Sequence, residues 1–193
     1  MPPKLKVTRE QIREVSMTIA ETSGIEAITA RELGKRLGVS SRPLYSIFSS
    51  VDELKREVVA MICDFFAAEL SKDRDSSDDF FKVGLNYLDF ARNHPELYRI
   101  LHSTGLRYMG DHFKSAKEII VEQVRVKSEY YSEFTKEEMS DLYRKMGIFS
   151  HGLADLLARG SSSSISEEDA RQMLFETGGA LVRDKLAQKE AAK

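Results

Sequence analysis

Residues 29–48 constrain the fold most, because their pattern predicts two short helices joined by a tight turn. Thr29 and Glu32 have the spacing of a capping box, in which each side chain bonds a free backbone amide at the start of a helix. Gly38 lacks a Cβ and can adopt the left-handed conformation that such a turn needs. The segment is therefore predicted to be a helix-turn-helix, whose second helix presents an exposed face.

Both helices of this motif are predicted to have an apolar inner face. Leu44 and Phe48, spaced i and i+4, are expected to anchor the second helix inward, and Ser40 is expected to cap it. Gly34 in the first helix has no Cβ, which would let a second helix cross closely. The side chains left on the outer face of the second helix are Ser41, Arg42, Tyr45 and Ser46.

Further matches in a fixed order flank this motif. A Gly ends the first predicted helix, an I-T-x-R-x-L-G pattern follows, and G-V-S, L-Y, F and D-E-L come after it. In this sequence the matches are Gly24, 28–34, 38–40, Leu44, Tyr45, Phe48 and 52–54. Together they resemble the DNA-binding domain of the TetR family of bacterial transcriptional regulators. The resemblance implies a helix-turn-helix DNA-binding domain at residues 1–54 and a helical domain for ligand sensing and dimerisation at 55–193.

The exposed face and the resemblance together indicate which residues bind double-stranded DNA. Arg42 can pair bidentately with guanine, and Ser41 and Ser46 can bond phosphates or bases. Tyr45 matches a tyrosine that contacts phosphate in the family, and Thr29 can bind phosphate at a helix N-terminus. The alternative for Tyr45 and Thr29 is a packing or capping role alone. The expected DNA-binding residues are Thr29, Ser40, Ser41, Arg42, Tyr45, Ser46 and Lys55.

Three positions depart from the family pattern. Pro43 stands where a Thr or a small residue is common, and a proline is tolerated in a first helical turn. Ile47 and Val51 stand where a His and a Lys are common, which removes two expected phosphate contacts. Lys55 lies one turn beyond Val51 on the same face, where it either compensates in part or is simply solvated.

The net charge of −2 conceals a division along the chain. Residues 1–56 contain ten basic and seven acidic side chains, a net charge of +3, which leaves −5 for the remainder. A basic head on an acidic body suits a protein that contacts DNA with one end only.

Helical periodicity extends along the chain, and almost nothing alternates like a strand. Capping signals predict helix starts at Thr8, Ser50, Thr135 and Ser166, each with a Glu, Gln or Asp three residues later. The predicted fold is therefore all-α, with about nine helices. Their expected ranges are about 8–23, 29–37, 40–48, 50–71, 79–93, 95–104, 111–134, 135–159 and 166 onward.

The last two predicted helices carry apolar faces that suit a homodimer interface. Gly178 and Gly179 in the last helix would let helices approach closely. Two such hairpins would form a four-helix bundle across a two-fold axis, as in TetR-family dimers, and a symmetric dimer implies a palindromic operator. The alternative is that these faces are buried within one chain. The apolar residues are Met139, Leu142, Met146, Phe149, Leu153, Leu156 and Leu157, followed by Met173, Leu174, Ala180 and Leu181.

Residues 87–99 and 151–157 carry a second resemblance, to TetR-family regulators with a WHG-type C-terminal domain. It implies a small-molecule effector of unknown identity that binds between body helices and relieves repression. Tyr98, Tyr108 and His151 are the favoured polar contacts, because each needs a polar partner when buried. The alternative for each residue is a plain core role. The pocket candidates are Phe65, Phe66, Tyr87, Phe90, Tyr98, His102, Tyr108, Met109, Tyr131, Phe149 and His151.

Other classes of function find less support in the sequence. No metal-ligand spacing, phosphate-binding loop or nucleophile motif is present, so we expect neither an enzyme nor a metal or cofactor. The lone Cys63, with no membrane-length apolar run and no signal-peptide pattern, favours a cytoplasmic protein. The remaining rival is a degenerate helix-turn-helix protein that binds a protein partner instead of DNA.

Overall fold

A computed structural model of the chain describes residues 7–72, 79–104, 131, 133–160 and 164–191. These residues form an all-α fold, as predicted, and none of them lies in a strand. No helix in this part of the chain is both long and apolar enough to cross a membrane. The chain divides into two compact units, one from residues 1–66 and 94–110 and the other from 67–93 and 111–193.

The described residues contain eight α-helices. They are α1 (Arg9–Ser23), α2 (Ala30–Leu37), α3 (Arg42–Ile47), α4 (Val51–Leu70), α5 (Asp79–Asn93), α6 (Pro95–Arg99), α7 (Lys136–Leu157) and α8 (Glu167–Ala191). A 3-10 turn at Ile25–Ala27 lies between α1 and α2, and α6 continues as a π-helical segment at Ile100–Thr104. The helix expected over 111–134 lies almost wholly outside the described residues.

Capping residues begin four of these helices as the sequence predicted. Thr8 and Thr135 are the N-caps of α1 and α7, each in a complete capping box with the residue three positions later. The hydroxyl oxygens of Ser50 and Ser166 accept at 3.0 Å from the backbone amide three residues later, at the starts of α4 and α8. These bonds satisfy amides that a helix start otherwise leaves free.

In the first unit, α1 packs against α2 and α6. Because α6 belongs to this core, the unit takes in residues from 94 onward and ends within α4 at Phe66. The compact units differ from a contiguous division at residue 54, and the assignment of DNA binding to residues 1–54 and of ligand sensing and dimerisation to 55–193 stays a prediction. The most deeply buried side chains of this core include Ile12, Ile19, Ile28, Leu33, Val58, Ile62 and Leu97.

In the second unit, α5, α7 and α8 each pack against the other two. An added Cβ at Gly178 would lie 2.6 Å from Phe81 Cε1 and 3.3 Å from Met146 Cε. An added Cβ at Gly84 would lie 2.9 Å from Leu174 Cδ2. The close helix approach expected at Gly178 is therefore made within one chain.

Most of the α7 face that was expected at a dimer interface is also buried inside this unit. The reason is that α5 and α8 both pack on α7, so its apolar face already has intrachain partners. The alternative of burial within one chain is correct for these residues, and the exposed face of α7 is a different one. The five buried residues, each at most 6% exposed, are Met139, Leu142, Met146, Leu153 and Leu157.

Candidate nucleic-acid interface

The turn between α2 and α3 has the backbone geometry predicted for it. Gly38 is left-handed, with φ 68° and ψ 27°, and its amide donates to the carbonyl of Gly34. An added Cβ at Gly34 would lie 2.7 Å from the carbonyl oxygen of Val39. The close approach at Gly34 is thus made by the backbone of the turn itself and not by a second helix.

The helix starts of the motif differ in part from the prediction. Thr29 caps α2, and its Oγ1 accepts from the Glu32 amide at 3.2 Å. The Glu32 carboxylate accepts from Arg36 Nε at 2.8 Å, which holds the pKa of Glu32 below its ordinary value. Only half of the expected capping box is therefore present. Ser41, not Ser40, is the N-cap residue of α3, because that helix begins one position later than expected, and the Ser41 side chain makes no capping bond.

The inner and outer faces of α3 are those that the sequence predicted. Leu44 and Phe48 are 5% and 3% exposed and pack inward, whereas Tyr45 is 57% exposed. The Ser46 hydroxyl donates to the carbonyl of Pro43 at 2.7 Å, so its oxygen is left to accept from a partner. The exposed polar side chains of the segment are Ser41, Arg42, Tyr45 and Ser46.

Lys55 does not face outward, contrary to the prediction. It is 7% exposed, and its Nζ lies 2.5 Å from Oε2 of Glu26 in the 3-10 turn after α1. The two residues are 29 positions apart, so spacing along α4 could not reveal the pair. Because the charge of Lys55 is already neutralised, we exclude this residue from the DNA-binding set.

Three cations of α2 and α3 make no ion pair with any residue that the structure describes. Arg31 and Lys35 are exposed one turn apart on α2, and Arg42 is exposed at the start of α3. Arg31 and Lys35 line an open depression together with Ser40 and Ser41. We name these exposed residues the α2–α3 surface, and its members are Arg31, Lys35, Ser40, Ser41, Arg42 and Tyr45.

Several other cations of the first unit are held in ion pairs. Arg13 pairs with Glu10 at 3.1 Å, and Arg36 pairs with Glu32 at 2.8 Å. Arg56 on α4 resembles the α2–α3 cations in having no ion pair among the described residues. Among these described cations of the first unit, Arg56 therefore remains available together with Arg31, Lys35 and Arg42 of the α2–α3 surface.

Arg31 and Lys35 were not assigned to the site from the sequence. Glu32 lies within one helical turn of both Lys35 and Arg36, and either could be its partner. Only the structure shows that Glu32 pairs with Arg36, which leaves Lys35 available. The sequence signal for Arg31 is its match to the family pattern, which by itself assigns it no role.

Four of the expected pocket residues lie in the first unit. Phe65 packs edge-on against His94, with ring centroids 5.1 Å apart. The ring of Tyr98 lies 4.5 Å from that of His102, and both Phe66 and Tyr98 are buried. These residues form part of a packed core.

The other pocket candidates that the structure describes lie in the second unit. The hydroxyl of Tyr87 lies 3.1 Å from Nδ1 of His151, an exposed residue on α7. Phe90 and Tyr131 are buried, each 1% exposed, and Phe149 is half-buried. An effector pocket formed by these side chains stays a prediction.

Two remaining pocket candidates and the groups that could bind a metal or act as a nucleophile complete the survey of sequence-predicted positions. Tyr108 and Met109 lie outside the described residues. Among the residues that are described, no three His, Cys, Asp or Glu side chains are grouped to hold a metal ion. Burial raises the pKa of the half-buried Cys63 thiol, which disfavours the reactive thiolate.

Comparison with known proteins gives distant relatives by sequence. No family model matches the chain. Nucleoid occlusion factor SlmA from Actinobacillus pleuropneumoniae is 26% identical over 121 residues, which are 60% of this chain and 60% of the relative. An uncharacterized HTH-type transcriptional regulator from Mycobacterium tuberculosis is 27% identical over 96 residues, which are 48% of this chain and 44% of the relative. The chain thus spans only about half of the length of these curated relatives.

Solved structures match nearly the whole chain in fold, at lower sequence identity than the curated relatives. A TetR-family transcriptional regulator from Streptomyces coelicolor has a TM-score of 0.66 at 18% identity, covering 93% of this chain and 88% of that one. A transcriptional regulator from Rhodococcus has a TM-score of 0.65 at 17% identity, covering 92% and 97%. A TetR variant from Acinetobacter baumannii in complex with minocycline has a TM-score of 0.60 at 14% identity, covering 93% and 96%. These structures confirm the resemblance at the level of the fold, and the WHG-type subtype stays a prediction.

Proposed function

We propose that this chain, which has the fold of TetR-family transcriptional regulators, is a sequence-specific DNA-binding regulator of transcription. The observation that supports this most is the α2–α3 surface, where Arg31, Lys35 and Arg42 are exposed and unpaired within the described part of the chain. Phosphate neutralisation by such side chains supplies most non-specific DNA affinity. A duplex is therefore the partner whose charge this surface matches.

The positions of the cations suggest separate roles for them. Arg42 begins α3, and its guanidinium can donate two parallel hydrogen bonds to O6 and N7 of a guanine in the major groove. Arg31 and Lys35 are suited to bind phosphates beside that groove. Tyr45, on the outer face of α3, offers its hydroxyl to another phosphate.

The hydroxyl groups have narrower roles than the cations. Thr29 Oγ1 already accepts from the Glu32 amide, and its proton remains for a phosphate oxygen. Ser40 and Ser41 lie in the depression with Arg31 and can donate there. Ser46 donates within its own helix, so its role is that of an acceptor.

A six-residue α3 spans few base pairs, so we propose a homodimer that binds a palindromic operator. The exposed face of α7 supports a second copy of the chain as the partner. Ile148 is 73% exposed there, and an added Cβ at Gly147 or Gly152 would meet nothing within 4 Å. Small residues beside a large apolar side chain leave room for a neighbouring helix. This face takes the place of the buried α7 residues in the proposed interface formed by the last two helices.

We further propose that the protein is a repressor and that a small molecule releases it from DNA. The complex of the Acinetobacter TetR variant with minocycline supports ligand binding by this fold. In the second unit of this chain, the Tyr87 hydroxyl and Nδ1 of His151 lie 3.1 Å apart and provide the kind of polar groups that a ligand site requires. An effector that binds one conformation better shifts the population away from the DNA-bound conformation.

Selection of bound sequences from a random duplex library, with purified protein at near-physiological salt, tests the DNA-binding proposal. We expect enrichment of a palindrome whose half-sites lie about one helical turn apart. Failure of folded, dimeric protein to enrich any sequence would contradict the proposal and favour a helix-turn-helix protein that binds a protein partner.

A matched pair of variants assigns base reading to Arg42. We expect Arg42→Ala to relax one position in each half-site. Arg36→Ala removes a cation that is already paired with Glu32, and we expect it to keep the same selected sequence. Identical selected sequences from both variants would show that Arg42 does not read a base.

A further inference from the structure

We propose that Arg9, on α1, is a positioning residue that holds the C-terminal end of α3 in the orientation needed to read DNA. The inference rests on the proposed function for its consequence at DNA, but its structural part is testable on the free protein. Nothing in the sequence pattern pointed to this residue, because its contacts lie 38 to 48 positions along the chain.

Arg9 makes contacts of three different kinds around the end of α3. Its Nη1 donates to the carbonyl of Ile47, the last residue of that helix, at 3.2 Å. Its guanidinium carbon lies 4.3 Å from the centroid of the Phe48 ring, within cation–π range. Its Nη2 pairs with Glu53 at 3.3 Å, and the same group also pairs with Glu57.

Glu53 extends this arrangement into the connection between α3 and α4. Its carboxylate accepts from the Ser49 amide at 2.7 Å and from the Ser49 hydroxyl at 2.5 Å. These bonds hold the pKa of Glu53 below its ordinary value, so it stays ionised as a partner for Arg9. One guanidinium thus joins α1, the end of α3 and the start of α4.

The length of α3 explains why such an attachment matters. A helix of six residues is unstable in isolation, so its orientation depends on groups outside it. Leu44 and Phe48 fix its buried side, and its N-cap Ser41 makes no side-chain capping bond. Arg9 supplies a cation and a donor at the C-terminal end, where free carbonyls favour both.

Arg9 differs from the cations of the α2–α3 surface because its charge is already balanced. Glu53 and Glu57 both pair with it, so binding a phosphate would require it to give up those contacts. A positioning role therefore makes a different prediction from a phosphate contact. Loss of Arg9 should alter sequence preference without reducing the number of ions released on binding.

The first measurement is amide hydrogen exchange on the full chain without DNA. The reporter is the Phe48 amide, which donates to the Leu44 carbonyl at 2.9 Å across the last turn of α3. We expect Arg9→Ala to accelerate its exchange about tenfold, and Arg9→Lys to restore little, since one ammonium cannot reproduce the planar set of contacts. The matched control is Arg13→Ala, also on α1 and also paired with Glu57, which we expect to leave this amide unchanged.

The second measurement compares the same variants on the selected operator and on a scrambled duplex. We expect Arg9→Ala to reduce the ratio of specific to non-specific affinity with an unchanged salt slope, and Arg13→Ala to preserve both. Unchanged Phe48 exchange in Arg9→Ala, or a salt slope shallower by about one per half-site, would overturn the inference. If wild-type protein binds no DNA, the proposed function fails, while the exchange result still decides whether Arg9 orders α3.

Discussion

The outer surfaces of α2 and α3 and of α7 and α8 are all exposed, and they differ in how many of their cations are paired. Among the described residues, Lys136 and Arg183 are the cations of α7 and α8 outside an ion pair, whereas three of the four cations of α2 and α3 are outside one. On α7, Arg144 and Lys145 both pair with Asp141, and on α8 Lys189 pairs with Glu138 across to α7. Among the residues that the structure describes, the α2–α3 surface has no such pairs for its cations. Those cations are Arg31, Lys35 and Arg42.

The two regions also differ in how their helix ends are satisfied. α7 has 22 residues and begins with the complete capping box of Thr135. α3 has six residues, and Ser41 at its start makes no side-chain capping bond. Of these two regions, α2 and α3 leave the larger share of their cations unpaired and have the less complete helix capping. Unpaired groups of this kind suit a partner outside the chain. This difference between α3 and α7 is the main structural support for DNA binding.

The largest expected effect is on the free energy of unfolding, which substitutions on the inner and outer faces of α3 should change by different amounts. Phe48→Ala removes a side chain that is 3% exposed and leaves a cavity, and we expect it to lower the free energy of unfolding by about 3–5 kcal/mol. Tyr45→Ala changes a side chain that is 57% exposed, and we expect a change within about 0.5 kcal/mol. Urea denaturation measures both, and decreases of equal size would show that the two faces are not distinct.

Alanine substitutions at two glycines distinguish the effect of backbone conformation on stability from the effect of packing. Neither Gly38 nor Gly152 has an atom within 4 Å of an added Cβ, but Gly38 has a φ of 68° and Gly152 lies inside α7. We expect Gly38→Ala to destabilise the chain by about 1–2 kcal/mol, because a side chain disfavours the left-handed conformation. We expect Gly152→Ala to stabilise it by up to about 1 kcal/mol, through helix propensity. Thermal unfolding at a low protein concentration that dissociates the proposed dimer measures both, and shifts of the same sign would contradict this account.

The capping residues and the turn at Gly38 were within reach of the sequence, because their partners lie within four positions. Thr8, Thr135 and Gly38 follow local rules of helix starts and turns, and the structure confirms all three. The faces of α3 were predictable for the same reason, since helical spacing alone separates Leu44 from Tyr45.

Contacts between distant parts of the chain were not predictable from spacing. Spacing along α4 predicted an exposed Lys55, whereas in the structure Lys55 pairs with Glu26. No local pattern indicated the contact of Arg9 with the carbonyl of Ile47. The apolar face of α7 was visible in the sequence, but a pattern of apolar residues does not say which helix covers it. The intrachain packing of α5 and α8 decided that question for Met146 and its neighbours.

The next effect concerns DNA affinity and tests the unpaired cations directly. We expect Arg42→Ala to weaken binding to the selected operator by about 5- to 150-fold, because a bidentate base contact is worth about 1–3 kcal/mol. Arg13→Ala, whose cation is paired with Glu10, serves as the control and is expected to bind like wild type. Fluorescence anisotropy at one fixed salt concentration measures both, and equal weakening would remove the distinction between paired and unpaired cations.

The smallest expected effect is the acid sensitivity of the ion pairs that Asp141 makes on α7. Hydrogen bonds from Lys145 and Arg144 lower the pKa of Asp141 from 3.8 to about 2. Because the folded pKa is depressed, the stabilisation is present above pH 3.8 and is lost as the pH falls towards about 2. We expect only a small effect, since the pair is exposed and screened. The free energy of unfolding of wild type and Asp141→Asn should converge over this interval, and a gap that widens on acidification would contradict the assignment.

The most direct test of the central claim is the salt dependence of DNA binding by wild type and two variants. The first variant, Arg31→Ala with Lys35→Ala, removes two unpaired cations of the α2–α3 surface, and Arg13→Ala removes a paired one. We expect the plot of log affinity against log salt to become shallower by about 0.9 for each phosphate that the first variant no longer neutralises, and to keep the wild-type slope in Arg13→Ala. Equal slopes for all three proteins would show that the unpaired cations of α2 and α3 do not bind the phosphate backbone.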